Sequence, residues 1–377
     1  MRAQLLSAFG APDVFTLAEA PAPVPTRGQL RVRIAAIGIN SLETKIRAGQ
    51  LNEHFPISLP AILGKEFAGT VEWSPDGGGE FAVGDRVAGF ADTGVYAEYA
   101  LARPDALARV PDALTLEQAA ALPVAVETAT RGIAALEVQP GWTVVVNGAT
   151  GNVGSAAVQL LAAQGMTVIG TASARNLAYL AALGAVPVAY GEGVATRLRA
   201  AAPAGIDAVF DVAGHGFVPT AIELTGDPSR IVTIADFAAA PLGVRVSTGS
   251  TRPASASFAP ALEAAAAGAF RVSIARVFPL ADMALAHELV ETGYVRGKVI
   301  VTVQATRRLP HDRNPDQQLR RAALQIHPGR PTDPGCAAPP WPLRGLRRGQ
   351  GWAADLVTSC RPARHILVPF VPYSLTP

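Results

Sequence analysis

Thr143-Val144-Val145-Val146-Asn147-Gly148-Ala149-Thr150-Gly151-Asn152-Val153-Gly154 is the stretch on which the reading of the fold turns. It opens with a continuous β-branched run, the pattern of a strand buried on both faces. A turn of small residues follows, and residues 153–164 then have helical character, with Gly154 their only glycine and no proline. Strand, glycine turn and helix start form the context that dinucleotide binding requires. Small side chains let the backbone approach a pyrophosphate, and the helix start offers unpaired N–H groups and a positive dipole end. Gly148, Gly151 and Gly154 stand three residues apart, with Ala149 in the place of the first glycine of G-x-G-x-x-G. The cradle is therefore predicted to be Gly148, Ala149, Thr150, Gly151, Asn152, Val153 and Gly154. A strand-to-helix turn that merely needs glycine is the plain alternative.

Downstream, Thr167–Thr171, Ala185–Val188, Ala208–Val212 and Arg230–Ile234 repeat the strand pattern, with a helix between the first two at Asn176–Leu183. Strands alternating with helices give βαβ units and a parallel sheet. Residues 123–268 are thus predicted to form a doubly wound, Rossmann-type domain. Gly214 and Ile234 follow its fourth and fifth strands, where loops of such folds reach the cofactor. Upstream, residues 1–122 carry short alternating runs between Gly, Pro and Asp, such as Leu30–Ala36, Gly69–Trp73 and Asp85–Gly89, the texture of a small antiparallel barrel. Residues 269–303 end in Gly297-Lys298-Val299-Ile300-Val301-Thr302-Val303, read as a strand returning to that first domain, with Lys298 directed toward the cofactor.

The second strand bears on cofactor choice. An NAD site places Asp or Glu about 20 residues beyond the glycine turn, on the ribose 2′-OH. The 51 residues from Gly141 to Gly191 contain neither. Ser173 and Arg175 stand there instead, a hydroxyl donor and a guanidinium suited to a 2′-phosphate. NADPH is the predicted cofactor; the plain alternative makes Arg175 a solvated residue at a helix start.

Composition limits the rest. The chain of 377 residues is 49% hydrophobic and 16% charged, enough to bury large cores in two to three domains. Residues 304–377 hold 11 Arg, 12 Pro, no Lys and 4 Asp, whereas residues 1–303 carry 21 basic and 26 acidic side chains. The body, net negative, offers no nucleic-acid surface. The tail reads as a disordered extension, and its abrupt change of composition also fits a shifted reading frame. Both cysteines, Cys336 and Cys360, lie in it, so the body can build neither a disulfide framework nor a thiolate zinc site. Neither a signal peptide nor an uninterrupted apolar run of about 18 residues is found, so a cytoplasmic protein without membrane contact is expected.

With these segments in view the chain resembles the medium-chain dehydrogenase/reductase superfamily, in its zinc-free quinone oxidoreductase and enoyl reductase branch. The resemblance covers about residues 1–303. It is carried by Gly38-Ile39-Asn40-Ser41-Leu42-Glu43-Thr44-Lys45-Ile46-Arg47-Ala48-Gly49, Leu63-Gly64-Lys65-Glu66-Phe67-Ala68-Gly69-Thr70-Val71 and Val83-Gly84-Asp85-Arg86-Val87. Ala119-Ala120-Ala121-Leu122-Pro123 with Thr128, the 147–154 turn, Ser173-Ala174-Arg175-Asn176, Leu183-Gly184-Ala185 and Gly297-Lys298 complete it. The resemblance implies a GroES-like catalytic domain (1–122 with 269–303), a Rossmann domain between, an active site in the cleft and a homodimer. It also implies that Asn40 and Thr128 lie by the nicotinamide and Tyr190 by the adenosine phosphate.

The chain departs from zinc alcohol dehydrogenases of that superfamily, which resemblance would give a Cys within 36–45 and a His where Lys65 stands. His54, His215 and His287 have no ligand spacing and read as surface or packing residues. Without zinc, a carbonyl is polarised by hydrogen bonds or a cation. Asn40 is the candidate to hydrogen-bond the substrate carbonyl or the cofactor amide, Lys45 the candidate cation for an enolate or hydroquinone anion, and Thr128 completes the catalytic set. Each has a plainer reading: Asn40 caps a turn, Lys45 is solvated, Thr128 packs in a helix. The expected activity is hydride transfer from NADPH to a small electron-poor carbonyl compound, a quinone or enone. Reduction of a carrier-bound enoyl thioester, or NADPH binding with little turnover, are the alternatives.

Overall fold

The computed structural model describes residues 1–75, 79–249 and 254–303. The expectations placed on 304–377, with Cys336 and Cys360, lie outside these residues.

The first lobe contains β1 (Arg2–Leu6), β2 (Phe15–Glu19), β3 (Leu30–Ile39), helix α1 (Ser41–Arg47), β4 (Glu66–Trp73), β5 (Arg86–Phe90), β6 (Tyr99–Ala102) and β7 (Leu107–Arg109). Short α2 (Leu116–Ala120) and long α3 (Pro123–Leu136) lead out of it. Proline at the first helical position fits α3, because its missing N–H would have had no intrahelical partner.

The second lobe alternates β8 (Thr143–Asn147), α4 (Asn152–Ala163), β9 (Thr167–Ala172), α5 (Leu177–Ala181), β10 (Val186–Ala189), α6 (Val194–Ala201), β11 (Ala208–Asp211), α7 (Val218–Thr225), β12 (Ile231–Thr233), β13 (Arg245–Val246) and α8 (Ala259–Ala266). The chain then returns through β14 (Ile274–Pro279), α9 (Met283–Glu291) and β15 (Lys298–Thr302).

The second lobe's sheet has the order β10-β9-β8-β11-β12-β13, and every neighbouring pair is parallel. The strand order reverses between β8 and β11, the switch point outside which ligands of open α/β sheets bind. Val144, Val145 and Val146 are fully buried, as the β-branched run requires. The first lobe's sheet runs β14-β15-β3-β4-β5-β7, with β6 also on β3; it is antiparallel apart from the β14–β15 pair. This is the GroES-like sheet beside a Rossmann sheet that the sequence led us to expect.

β3 sets up the cleft. Its first half alternates, with Leu30, Val32 and Ile34 inward, while its last residues are buried on both faces. β15 pairs with it in the register Val299↔Ile39 and Ile300↔Gly38, which sets Lys298 beside Asn40. β4 pairs with it through Ile37↔Phe67, which brings Glu66 level with Gly38. A Cβ on Gly38 would stand 2.5 Å from Glu66 Oε1 and 2.6 Å from Lys298 Cε, so only glycine leaves room for that pair.

The stretch Leu116–Leu136 is long and apolar enough by composition to cross a membrane, yet 72% of its apolar window is buried within the protein. It comprises α2 and α3, and α3 packs on α4 and on β11, where Gly132 leaves room for the Phe210 ring, as a core helix does.

Candidate active site

The glycine turn has the form the sequence requires. Gly148 is left-handed at φ +82°, and a Cβ there would stand 2.7 Å from the Ala213 Cβ. A Cβ on Gly154 would stand 2.2 Å from Gly148 O, so α4 starts flush against the turn. Gly151 is the N-cap of α4, has no side chain to cap the helix, and no acid occurs in the first turn. Asn152 and Val153 therefore begin a twelve-residue helix whose amino end is left for an anion. Ala149 is fully buried under the turn, and Thr150 is half-buried.

At the end of β9, Ser173 Oγ is buried without a hydrogen-bond partner among the described residues. Arg175 is exposed on the 3-10 turn that follows, and Tyr190 N donates to Ala172 O at 3.0 Å. That bond sets the backbone of Tyr190 beside the end of β9, the residue before Ser173. A hydroxyl without a partner next to an exposed guanidinium fits a phosphate better than it fits a bare ribose hydroxyl. Gly214 (φ +71°) and Ile234 lie at the ends of β11 and β12 on the same edge.

Beneath these loops runs a row of polar side chains that the sequence reading missed. Thr171, Asn147, Asp211 and Thr233 occupy neighbouring positions on β9, β8, β11 and β12, with Asn147↔Asp211 and Asp211↔Thr233 in register. Thr171, Asp211 and Thr233 are fully buried. Thr171 Oγ1 donates to Asn147 Oδ1 (2.7 Å), Asn147 Nδ2 to Asp211 Oδ1 (2.8 Å) and Thr233 Oγ1 to Asp211 Oδ2 (2.8 Å). A signal was available: Asn147, Asp211 and Thr233 are the polar last residues of apolar strands, and Thr171 is the last polar residue of β9, one position short of its end.

In the first lobe, Asn40 is the N-cap of α1, and its N–H donates to Glu43 Oε2 at 3.0 Å. Its Nδ2 donates to Glu66 Oε1 at 2.9 Å and to Glu43 Oε1 at 3.3 Å, and its Oδ1 accepts from Lys298 Nζ at 2.5 Å. Lys298 also pairs with Glu66, both of them buried. Glu66 Oε2 accepts from Val124 N at 2.8 Å, tying the cluster to the start of α3. Burial pushes the Glu43 carboxyl up to about 7; Lys298 pulls it back and Glu66 pushes it further.

Two sequence expectations change here. Asn40 was expected to donate to a substrate carbonyl, but both its amide hydrogens already serve carboxylates; only the longer 3.3 Å bond is weak enough to exchange. Lys298 was expected to face the cofactor, but it is 1% exposed and its ammonium is spent on Asn40 and Glu66. Glu43 and Glu66 were missed as site residues.

Thr128 lies in α3, one turn beyond Val124, buried beside Glu127, to which it donates at 3.4 Å. Lys45 is half-buried on α1. Lys65 precedes β4 with its side chain reachable by water; the surrounding protein withdraws enough solvent to lower its pKa, with Asp92 opposing. Two contacts link the lobes: Asn152 Nδ2 reaches Ala121 O at 3.5 Å, and the His54 ring stacks on Phe237 with centroids 6.0 Å apart. His287 is a core residue against Tyr96 and Phe15, and burial pushes its pKa down to about 3.

Residues 26–112 match the alcohol dehydrogenase GroES-like domain, and residues 183–301 match a domain described as a zinc-binding dehydrogenase. A solved quinone oxidoreductase from Coxiella burnetii superposes with a TM-score of 0.72 at 30% identity, over 81% of this chain and 99% of that one. The chain belongs to the medium-chain dehydrogenase/reductase superfamily. A mycobacterial superfamily neighbour solved with NADPH superposes with a TM-score of 0.70 at 28% identity, over 80% of this chain and all of the other. Human quinone oxidoreductase is 38% identical over 175 residues, 46% of this chain and 53% of its own. The match thus spans about half the length of that curated relative.

The zinc in the description of the second domain can be tested against the side chains present. Lys65 stands where the resemblance would give histidine, and Glu66 is held by Lys298, Asn40 and Val124. Among the described residues no three of His, Cys, Asp and Glu come together as metal ligands. These residues do not fit a zinc ion.

Proposed function

We propose that this chain is a zinc-independent oxidoreductase that transfers hydride from NADPH to a quinone or an α,β-unsaturated carbonyl compound. The observation that carries the cofactor is the edge of the second sheet: an uncapped α4 start on a left-handed Gly148, with Ser173 and Arg175 in place of an acid. NADPH supplies the hydride when bound. Gly148 to Gly154 would hold its pyrophosphate, Ser173 and Arg175 its 2′-phosphate, and Tyr190 would flank the adenosine.

The first lobe supplies position and charge. Lys45 and Lys65 are the cations able to hold an enolate or a hydroquinone anion as negative charge develops. Asn40, fixed by Glu66 and Lys298, shapes the floor, and Thr128 lines α3.

The test is NADPH oxidation followed by absorbance with 1,4-benzoquinone and with a simple enone, alongside metal analysis of the active protein. Consumption of NADPH by substoichiometric-zinc protein is the expected result. Absence of turnover with both acceptors, or activity that tracks stoichiometric zinc, would reject the proposal.

A further inference from the structure

The buried row Thr171-Asn147-Asp211-Thr233 does more than fill the sheet. Three of its four members, Thr171, Asp211 and Thr233, also accept backbone N–H groups from the loops that lie over the row. Thr171 Oγ1 accepts from Gly148 N at 3.0 Å. Asp211 Oδ1 accepts from Gly214 N at 2.9 Å and from Ala213 N at 3.3 Å. Thr233 Oγ1 accepts from Asp236 N at 3.1 Å and from Ala235 N at 3.2 Å. The three loops are those that follow β8, β11 and β12, and they touch one another: a Cβ on Gly148 would meet Ala213, and one on Gly214 would stand 3.2 Å from the Ala235 Cβ.

Asp211 is the centre of the row. Four donors converge on its carboxylate: the Asn147 amide, the Thr233 hydroxyl and two backbone N–H groups. No cation is paired with it among the described residues, so the charge is balanced by oriented dipoles alone. Hydrogen bonds to a charged acceptor are the stronger kind, and a chain of them polarises along its length. A displacement of one loop is therefore felt by the other two.

We infer that Asp211, through the Thr171-Asn147-Asp211-Thr233 row, is a positioning residue that sets the three nucleotide-facing loops as one unit. The inference rests on the reading that a nicotinamide dinucleotide lies over those loops.

The test uses the full chain with Asp211→Ala, Asp211→Asn, Thr171→Val and Thr233→Val. NADPH affinity is read by nicotinamide fluorescence, and amide hydrogen exchange is read on the ligand-free protein. Asp211→Ala is expected to weaken NADPH binding roughly 10- to 100-fold, the worth of one or two hydrogen bonds to a charged group. It is also expected to speed exchange together at Gly148, Gly214, Ala235 and Asp236. Asp211→Asn keeps an oxygen for the three donors to Oδ1 and is expected to recover most of the affinity.

If Asp211→Ala does not fold, the valine variants carry the test, because they leave the carboxylate in place. Thr233→Val is expected to raise exchange at Gly214 as well as at Ala235 and Asp236. Unchanged NADPH affinity in folded variants, or faster exchange confined to the substituted strand's own loop, would overturn the inference. A wild-type chain that binds neither NADPH nor NADH would instead defeat the nucleotide reading, while the exchange measurement would still decide whether the row couples the loops.

Discussion

The two lobes both bury polar side chains at the cleft, and they balance them by different means. In the first lobe, Glu43, Glu66, Lys298 and Asn40 form a cluster of two acids, one ammonium and one amide. In the second, Asp211 is the one charged member of a row otherwise built from Asn147, Thr171 and Thr233. Ion pairing is sensitive to the loss of a partner and to pH. Dipolar satisfaction is spread over several bonds and is tied to the backbone that it holds. The first arrangement suits the floor proposed for it, where charge would change during a cycle. The second suits a cradle that must keep its shape.

Removing one side of the ion pair is the most direct way to break this contrast. Lys298→Met leaves Glu66 buried without its cation and is expected to cost about 3–5 kcal/mol in urea unfolding. Adding Glu66→Gln should restore much of that loss, since a neutral pair needs no counter-charge. An unchanged unfolding midpoint for Lys298→Met would mean that the cluster is not an ion pair in solution.

Next in size is the pH dependence that Glu43 imposes. Its folded pKa of about 7 lies above the ordinary 4.5, so between those values the folded state binds more protons than the unfolded. Its contribution is thus fully favourable below 4.5, and stability falls as pH rises through the window to about 7. Glu43→Gln should remove that slope and gain on the order of 3 kcal/mol at pH 8. His287 acts oppositely. Its folded pKa of about 3 lies below 6.5, so stability is lost as pH falls from 6.5 toward 3. The two slopes offset each other over their shared range, and unfolding of Glu43→Gln at several pH values should uncover that of His287. A Glu43→Gln stability profile parallel to wild type would dismiss the raised carboxyl.

A smaller effect sharpens the second lobe. Arg175→Ala should raise KM for NADPH about tenfold, one bidentate contact's worth, and leave KM for NADH alone. Equal changes for both cofactors would place Arg175 away from the 2′-phosphate.

The central strands of the second lobe were legible to near-residue accuracy because they are buried on both faces and so read as unbroken apolar runs, whereas the short edge strand β13 and the helices α6 to α8 were not read. Thr143–Asn147 and Thr167–Ala172 fall where those runs stand, and the glycine turn follows where its small residues require it. The 3-10 turn at β9's end placed Ser173 and Arg175 together because they are neighbours in sequence. The first-lobe cluster was hidden for the opposite reason. Asn40 and Lys298 are 258 residues apart and meet only through the β3–β15 register. Glu66 opens a strand, a position at which an acid ordinarily reads as solvated, and nothing local reveals that α3 will close over it. Lys298 was assigned to the cofactor for want of any view of that partner.

The proposal that the second lobe holds a nucleotide carrying a 2′-phosphate turns on Ser173 and Arg175. Its most direct test is kcat/KM for NADPH against NADH in the full chain, with one quinone acceptor held at a fixed concentration. NADPH is expected to be favoured by about tenfold or more, as a charged bidentate contact implies. A preference for NADH would contradict it.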